Sequence, residues 1–264
     1  MPSTDAVTLS RIAVYPVKSL DPVYLEQAEI VENGGLSGDR EYAIFDEDGN
    51  YVNGKRERAT HQIRSSVALD DETIRLSAPE VEDYDGPVAG ADDWLEAYFG
   101  YSVALRRDEA GGFPDDTVAS GPTVISTQTL EAVASWYDGI SVDEMRRRLR
   151  PNLELDAPEP FWEDTLFDSR DTRVDWSLGS ASFIGVNPCQ RCIVPTRDPE
   201  TGESTPEFKE TFMQKRAETM PPWSGGDWFD HYFRLMVNTK VPRLSWGETL
   251  SVGDEVSVSD IRAV

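Results

Sequence analysis

Cys189 and Cys192 are the only cysteines of the 264-residue chain, and they lie in the run NPCQRCIVPTRDPETG. A Cys-x-x-Cys pair can form a redox disulfide, supply half of a zinc site or present a thiolate to a softer metal. Free cysteines are also often simply buried. Since two cysteines are too few for a disulfide scaffold, the choice among these four interpretations decides the chemistry.

Two of the four interpretations fit the surrounding sequence less well. The only histidines, His61 and His231, are not spaced like zinc-finger ligands, and neither is assigned a role. A thioredoxin-like dithiol opens a helix, whereas Pro195 and Pro199 interrupt any helix that would follow the cysteines. Packed thiols and a single reactive or metal-binding thiolate remain the better-supported alternatives.

The thiolate interpretation rests on the residues around the cysteine pair. Arg191 and Arg197 are cationic neighbours that would favour a thiolate. A soft thiolate suits a soft or high-valent metal. The Asp-Pro-Glu-Thr-Gly run that closes the loop predicts a rigid turn able to hold such a ligand in place.

Four other short runs carry basic or small hydrogen-bonding residues where a strand ends or a helix begins. They are PVKS with Lys18 and Ser19, SGDR with Arg40, LRPN with Arg150 and Asn152, and IST with Ser126 and Thr127. Helix N-termini bind anions, and arginine and lysine bind phosphate oxygens. Together the runs predict an anion pocket suited to a phosphate-bearing cofactor, although each alone would ordinarily be a solvated surface group.

The charge balance limits the classes of partner that the protein is expected to bind. The net charge is −24, with 49 acidic against 25 basic residues, so nucleic acid and anionic membrane surfaces are not expected to bind. Only five of the basic residues are lysines, a balance that suggests a high-salt cytoplasm. No apolar run is long enough for a membrane helix, and the N-terminus lacks the pattern of a signal peptide, so we expect a cytoplasmic protein.

The elements that must position these residues are mostly short strands. Strands are predicted over 8–20, 24–33, 101–108, 152–157, 164–169, 172–178, 180–186, 232–239 and the last dozen residues, and hairpins over 41–54 and 65–79. Helices are predicted over 91–100 with Asp92 as cap and Gly100 as stop, over about 127–138, from Ser141 (in a capping box with Glu144) to Pro151, and over 205–218 with Pro206 at its first position. This order indicates an α+β fold that is mainly β, with a mixed β-barrel rather than a doubly wound sheet. The acidic, Pro- and Gly-containing stretch 79–90 is interpreted as a linker.

The motifs YPVKS, GDR, RPN and CQRC-x5-DPETG, in this order, resemble those of MOSC-domain proteins. The likeness is greatest to two-part members such as the mitochondrial amidoxime-reducing components and their bacterial relatives, and it extends from about residue 8 to 260. It implies a MOSC-type β-barrel with peripheral helices, preceded by a smaller β-rich N-terminal domain. With the linker, this gives an N-terminal β-barrel-like region at 1–88 and a MOSC domain at 89–264.

The resemblance also implies a cofactor and its ligands. Members bind molybdenum cofactor, Mo-molybdopterin, and the second cysteine of the motif, here Cys192, ligates the metal and is the catalytic position. The residues implied as contacts of the pterin or its phosphate are Lys18, Ser19, Arg40, Arg150 and Asn152, with Ser126, Thr127 and Arg191 as further contacts. Cys189 receives no chemistry and is interpreted as a packed thiol. Neither pyridoxal phosphate nor an iron–sulfur cluster is expected, since two cysteines cannot hold such a cluster.

Three functions follow from these observations. The leading hypothesis is a molybdenum-dependent oxidoreductase that reduces small N-hydroxylated substrates with electrons from a separate donor protein. The second is a carrier of the cofactor, or of sulfur as a persulfide on Cys192. The third is a barrel-shaped binding module without catalysis.

Overall fold

The computed structural model describes residues 6–224 and 228–263. Strands dominate it, and in chain order they are β1 (Thr8–Val14), β2 (Val23–Leu25), β3 (Gln27–Glu29), β4 (Tyr42–Asp46), β5 (Arg64–Ala68), β6 (Thr73–Ser77), β7 (Tyr84–Pro87), β8 (Val103–Arg107), β9 (Val124–Ser126), β10 (Leu153–Asp156), β11 (Thr172–Leu178), β12 (Ala181–Gln190), β13 (Arg234–Lys240), β14 (Thr249–Ser251) and β15 (Val256–Ala263). The α-helices of the described residues are α1 (Asp92–Phe99), α2 (Thr127–Ala134), α3 (Val142–Leu149) and α4 (Phe208–Thr219).

One sheet of eight strands forms the larger part of the fold. Its order is β15-β11-β12-β13-β9-β10-β1-β2, and it is mixed because β9 and β10 are parallel. The sheet curls until the start of β1 meets the chain before β15, where Leu9 N donates to Asp254 O and Gly253 N to Leu9 O, both at 2.8 Å. Among the described residues this junction contains the isolated bridge of Thr8 and Glu255 and no strand pair, so the barrel is not continuously closed.

The inner face of this sheet is apolar, as alternating strands require. Trp176 of β11 stacks on Phe183 of β12 with ring centroids 4.5 Å apart, and both are buried. Gly185 lets the carbonyl oxygen of Leu166 approach the sheet: a Cβ on this glycine would lie 1.5 Å from it. Helices α2, α3 and α4 form a separate apolar cluster, in which Phe208 and Phe212 are fully buried.

A second group of strands belongs to the first part of the chain. β5, β6 and β7 form an antiparallel meander, and β4 pairs with β8. Their apolar residues share one core with residues of α1, including Leu95. Thus α1 and β8 pack with residues before position 88, while β1 and β2 lie in the eight-stranded sheet; the division at 88/89 stays a prediction.

The prediction of a mainly β, α+β fold is confirmed, whereas several element predictions are wrong. The stretch 79–90 is not a linker, because β7 pairs with β6 as the edge strand of the meander, where Pro87 need not donate to a neighbour. The segment 164–169 is not a strand: Trp162–Leu166 is a 3-10 helix that buries Leu166. A short apolar run does not distinguish these two ways of reaching a core.

Pairing and capping also differ in places. The stretch 24–33 splits into β2 and β3, which belong to different sheets, and β4 takes β8 as its partner, with only one bridge from Phe45 to Tyr51. Asp92 does not cap α1, since its carboxylate accepts from Leu105 N at 2.8 Å. Pro206 precedes α4 by two positions, because Glu207 is left-handed with φ 57°. No helix of the described ranges is long and apolar enough to cross a membrane.

Candidate functional site

A cavity of about 480 Å³ draws its walls from both halves of the chain. That volume lies within the usual range for small-molecule and cofactor sites. Seven of the predicted site residues line it, namely Lys18, Ser19, Arg40, Arg150, Asn152, Arg191 and Cys192. Ser126 and Thr127 are not among its lining residues.

The cavity has the opposite charge to the rest of the protein. Its basic lining residues are Lys18, Arg40, Lys55, Arg64, Arg146, Arg147, Arg150 and Arg191, against the acidic Asp21, Asp39, Asp115 and Asp116. Eight of the 25 basic residues of a chain with net charge −24 therefore face this one space. Such a concentration attracts anions into the cavity.

Lys18 enters the cavity wall just after β1 ends. Its side chain is buried, and Nζ donates to Phe113 O at 2.7 Å and lies 3.0 Å from an Asp115 oxygen. Burial lowers the pKa of Lys18, while the Asp115 carboxylate opposes that change. Lys18 is thus a charged donor held in place by the loop between β8 and β9.

Tyr15, which belongs to YPVKS, connects that motif with Arg40 of SGDR and Arg150 of LRPN. Sequence reasoning missed this role. Arg150 lies over its ring at 4.0 Å from the centroid and Arg40 at 5.2 Å. Asp39 ties the group together, since it pairs with Arg40 and accepts from Tyr15 N at 2.8 Å. Burial raises the pKa of Tyr15, so its hydroxyl stays protonated and donates to Pro151 O at 3.0 Å.

The backbone at the motifs is left-handed. Ser19, Arg40 and Arg150 have φ values of 77°, 55° and 55°, and Met236, which also lines the cavity, has 68°. Residues other than glycine rarely adopt this conformation, and such strain gathers at functional sites. Arg150 is also the C-cap of α3, so the end of that helix aims its side chain.

Asn152 lines the cavity, yet its amide is used by the fold. Nδ2 donates to Ala13 O at 3.0 Å, and Oδ1 accepts from the Thr123 backbone N and hydroxyl, each at 3.2 Å. These bonds join the residue before β10 to β1 and to the residue before β9. Asn152 therefore positions the wall rather than offering free donors.

The two cysteines are both free, half-buried and in the cavity wall. Cys189 lies near the end of β12 and packs against the helical cluster, as expected of a packed thiol, but Arg191 Nη1 also lies 3.4 Å from its sulfur. Cys192 follows in the turn after β12. The Arg197 guanidinium donates from Nη1 to the backbone oxygen of Gly54, another residue of the cavity wall, at 3.0 Å.

Two cavity guanidinium groups lack a carboxylate partner. Arg150 donates to Leu20 O at 2.7 Å and Arg191 to Leu149 O at 2.7 Å, and neither is in an ion pair among the described residues. The buried Nε of Arg191 has no hydrogen-bond partner within that part of the chain. Burial lowers the pKa of Arg150. Guanidinium groups without a carboxylate partner are suited to pairing with an anion bound in the cavity.

The Asp-Pro-Glu-Thr-Gly run forms a turn with several internal and external hydrogen bonds, and its rigidity stays a prediction. Asp198 Oδ1 accepts from Glu200 N and Thr201 N at 2.8 and 2.9 Å, and these bonds lower the pKa of Asp198 against the effect of burial. Pro199 O accepts from Arg64 at 2.9 Å and from Arg147 at 3.3 Å. The turn thereby fastens the cysteine loop to both halves of the fold.

Ser126 and Thr127 serve a different site. Ser126 caps α2 and donates to Glu163 Oε2 at 2.9 Å, while Thr127 donates to Glu154 Oε1 at 3.0 Å. The helix start that the sequence predicted is present, but its N-terminus faces the buried Glu163 carboxyl. Because neither residue lines the cavity, the structure gives no support to their predicted role as cofactor contacts.

The zinc interpretation finds no support in the geometry. Within the described ranges, no group of three or more His, Cys, Asp or Glu residues could hold a metal ion. His61 does line the cavity, where Nε2 lies 3.2 Å from Gly54 O, and burial lowers its pKa. His231 instead accepts from Phe233 N at 3.1 Å.

Comparisons with known proteins agree with the motifs. The family described as the MOSC N-terminal beta barrel domain matches residues 6–111, and the MOSC domain family matches residues 122–257. The chain is 24% identical to mitochondrial amidoxime-reducing component 1 of Xenopus laevis, over 85% of this chain and 77% of that protein. The Danio rerio protein of the same name is 23% identical over 74% and 70%. A molybdenum cofactor sulfurase of Drosophila mojavensis is 24% identical over 95% of this chain but only 35% of the sulfurase.

Proposed function

The chain belongs to the MOSC domain family, and from this premise we propose that it is a molybdenum cofactor-binding oxidoreductase. Its substrates would be small N-hydroxylated compounds, and its electrons would come from a separate donor protein. The names of the amidoxime-reducing relatives support this reaction class. The observation that carries the proposal is the cavity that brings Cys192 together with a cluster of basic residues.

The residues present fit a cofactor with a thiolate-bound metal and an anionic tail. Arg150 and Arg191 offer guanidinium groups without a carboxylate partner. The Arg191 Nε is a buried donor with no hydrogen-bond acceptor among the described residues. Lys18 and Arg40 extend the basic wall. A phosphate accepts several such charge-assisted hydrogen bonds at once.

The roles of individual residues follow from their positions. Cys192 would supply the sulfur ligand of the metal, and the hydrogen-bonded turn after it would hold that ligand in place. Tyr15 keeps Arg40 and Arg150 at a fixed spacing, and Asn152 holds the strands behind them. When bound, molybdenum cofactor supplies the transfer of an oxygen atom and two electrons; the protein binds and orients it.

Metal and pterin content test the proposal directly. The protein is purified from cells supplied with molybdate, and turnover of an N-hydroxylated amidine is measured with an artificial electron donor. We expect one molybdenum and one pterin per chain, together with turnover. A protein that carries neither would refute the proposal.

Cys192→Ala and Cys189→Ala form a matched pair for the metal ligand. Both thiols are free and line the same cavity, so both changes remove one sulfur from its wall. We expect Cys192→Ala to lose molybdenum and Cys189→Ala to keep most of it. Full metal content and activity in Cys192→Ala would contradict the assignment of this ligand.

A second function is favoured by the sulfurase relative, whose match covers nearly the whole of this chain. In that case the protein would carry the cofactor, or sulfur as a persulfide on Cys192. Bound cofactor without turnover would support the first form of this alternative. A mass increase of one sulfur on Cys192, without molybdenum, would support the second.

A further inference from the structure

The carboxylate of Asp115 lies among basic side chains of the cavity wall. One of its oxygens, Oδ1, lies 3.0 Å from Lys18 Nζ and 3.3 Å from Lys55 Nζ. Although burial acts in the opposite direction, the charges of Lys18, Arg40 and Lys55 hold the pKa of Asp115 well below its usual range. An anion of the protein itself is therefore bound where the proposed function requires an anion from outside.

The loop that carries Asp115 is anchored on both sides of an exposed tip: on one side Ser120 Oγ donates to Asn33 O at 2.6 Å, and on the other side Phe113 holds the loop. Phe113 N donates to Arg40 O at 2.8 Å, and the Phe113 ring packs edge-on against Phe45 with centroids 5.4 Å apart. Beyond this anchor, residues 115–118 are exposed, and Val118 is 72% exposed. Asp116 closes a small turn by accepting from Val118 N at 2.8 Å, so the tip has its own local structure.

We infer that Asp115 is a built-in competitor for the anion site: its carboxylate holds Lys18 and Lys55 until an incoming phosphate or other oxyanion displaces it together with residues 114–118. The inference rests on the proposed function for the identity of the anion, but not for the competition itself. Asp115 thereby determines which ligands bind. A ligand displaces its carboxylate only if its own charge and its other contacts with the cavity bind more strongly than the carboxylate does.

Electrostatics gives the direction of the effect. A carboxylate next to two ammonium groups neutralises part of their charge and repels any anion that approaches them. Weak monoanions gain little by replacing it. A dianionic phosphate that also reaches the unpaired Arg150 or Arg191 gains more, so the site would be selective for highly charged ligands.

Binding of inorganic phosphate to Asp115→Asn tests the competition. Titration calorimetry at low ionic strength should show affinity roughly tenfold higher than in the unaltered protein, because the like charge is gone. Asp116→Asn is the matched control: it lies in the same cavity wall and loses the same charge, but it has no cation within ion-pair distance among the described residues, and asparagine can still accept from Val118 N. Its affinity should stay within about twofold of the unaltered protein.

Several outcomes would overturn the inference. They are equal or weaker phosphate binding by Asp115→Asn, the same gain in Asp116→Asn, or no phosphate binding by any of the three proteins. Hydrogen exchange in the unaltered protein is the second measurement, needed if Asp115→Asn fails to fold. Phosphate should speed exchange of the amides in 113–119, and an unchanged rate would also contradict the inference.

The two proposals can fail separately. If the protein carries molybdenum and pterin but Asp115→Asn does not bind phosphate more tightly, the proposed function stands and the inference about Asp115 fails. If the protein carries no molybdenum but Asp115→Asn binds phosphate more tightly, the inference about Asp115 stands and the proposed cofactor is wrong.

Discussion

Glu163 is a fully buried carboxyl whose ionisation is expected to oppose folding. Its Oε2 accepts from the hydroxyls of Ser126 and Thr129, both at 2.9 Å, while its buried Oε1 has no partner among the described residues. Burial is the main cause, and the charge of Asp164 the second, that raises the pKa of Glu163 to about 7. Replacing Glu163 with glutamine keeps the shape and removes the charge.

The sign and size of the effect follow from linkage. A carboxyl whose pKa is higher in the folded than in the unfolded state stabilises the fold at low pH and loses that contribution as pH rises through the folded-state pKa. Between an ordinary pKa of 4.5 and one of about 7, the free energy of unfolding falls by about 2 to 3 kcal/mol from pH 5 to pH 8. Glutamine does not titrate, so Glu163→Gln should become more stable relative to the unaltered protein by about this amount over the same range.

Urea unfolding followed by tryptophan fluorescence at pH 5, 6, 7 and 8 measures the difference. Taking the variant minus the unaltered protein at each pH removes the contributions of the other acidic residues. Glu131→Gln, an exposed change on α2, controls for the loss of one charge. A constant difference between Glu163→Gln and the unaltered protein from pH 5 to pH 8 would refute the reasoning, because Glu163 would then not titrate in this range.

Three further outcomes test the packing and the charge balance. Gly185→Ala should cost about 3 kcal/mol or more in thermal unfolding, because its Cβ would overlap Leu166 O; a loss below about 1 kcal/mol would mean that the 3-10 helix moves away freely. Arg216→Met should cost about 3 to 5 kcal/mol in urea unfolding, since it leaves Asp164, now held at 2.7 and 2.8 Å, buried without its cation; an unchanged midpoint would contradict this. Raising KCl to about 2 M should increase the urea midpoint of this strongly acidic chain, and a flat salt response would show that its self-repulsion does not limit stability.

The motifs could be predicted from the sequence because each is local. PVKS, GDR and RPN each place a basic residue at a reversal of the chain, and one residue of each motif, Ser19, Arg40 or Arg150, is left-handed in the structure. What the motifs could not reveal was their connection. Tyr15 between two guanidinium groups and Asp115 across Lys18 depend on contacts between distant segments, which no local pattern records.

Where the structure departs from other sequence expectations, the cause is different. Ser126 and Thr127 have the residue types of an anion-binding helix start, and the helix does start there. However, Ser126 at that start bonds to the buried carboxyl of Glu163, from the 3-10 helix Trp162–Leu166. In the same way, Leu166 reaches the core from a 3-10 turn rather than a strand, and Tyr84 lies in an edge strand rather than a linker. In each case tertiary packing decided between conformations that the local sequence allows equally.

The position of β1 sets the order in which the fold can be completed during synthesis. β1 comes first among the described strands, yet it pairs with β10, and its Leu9 exchanges backbone hydrogen bonds with Gly253 and Asp254. A growing chain therefore leaves the start of β1 without these partners until residues 253 and 254 have been made, and unpaired strand edges invite aggregation. A chain that stops before residue 253 would lack these bonds, so it should depend on chaperones more than a chain that contains them.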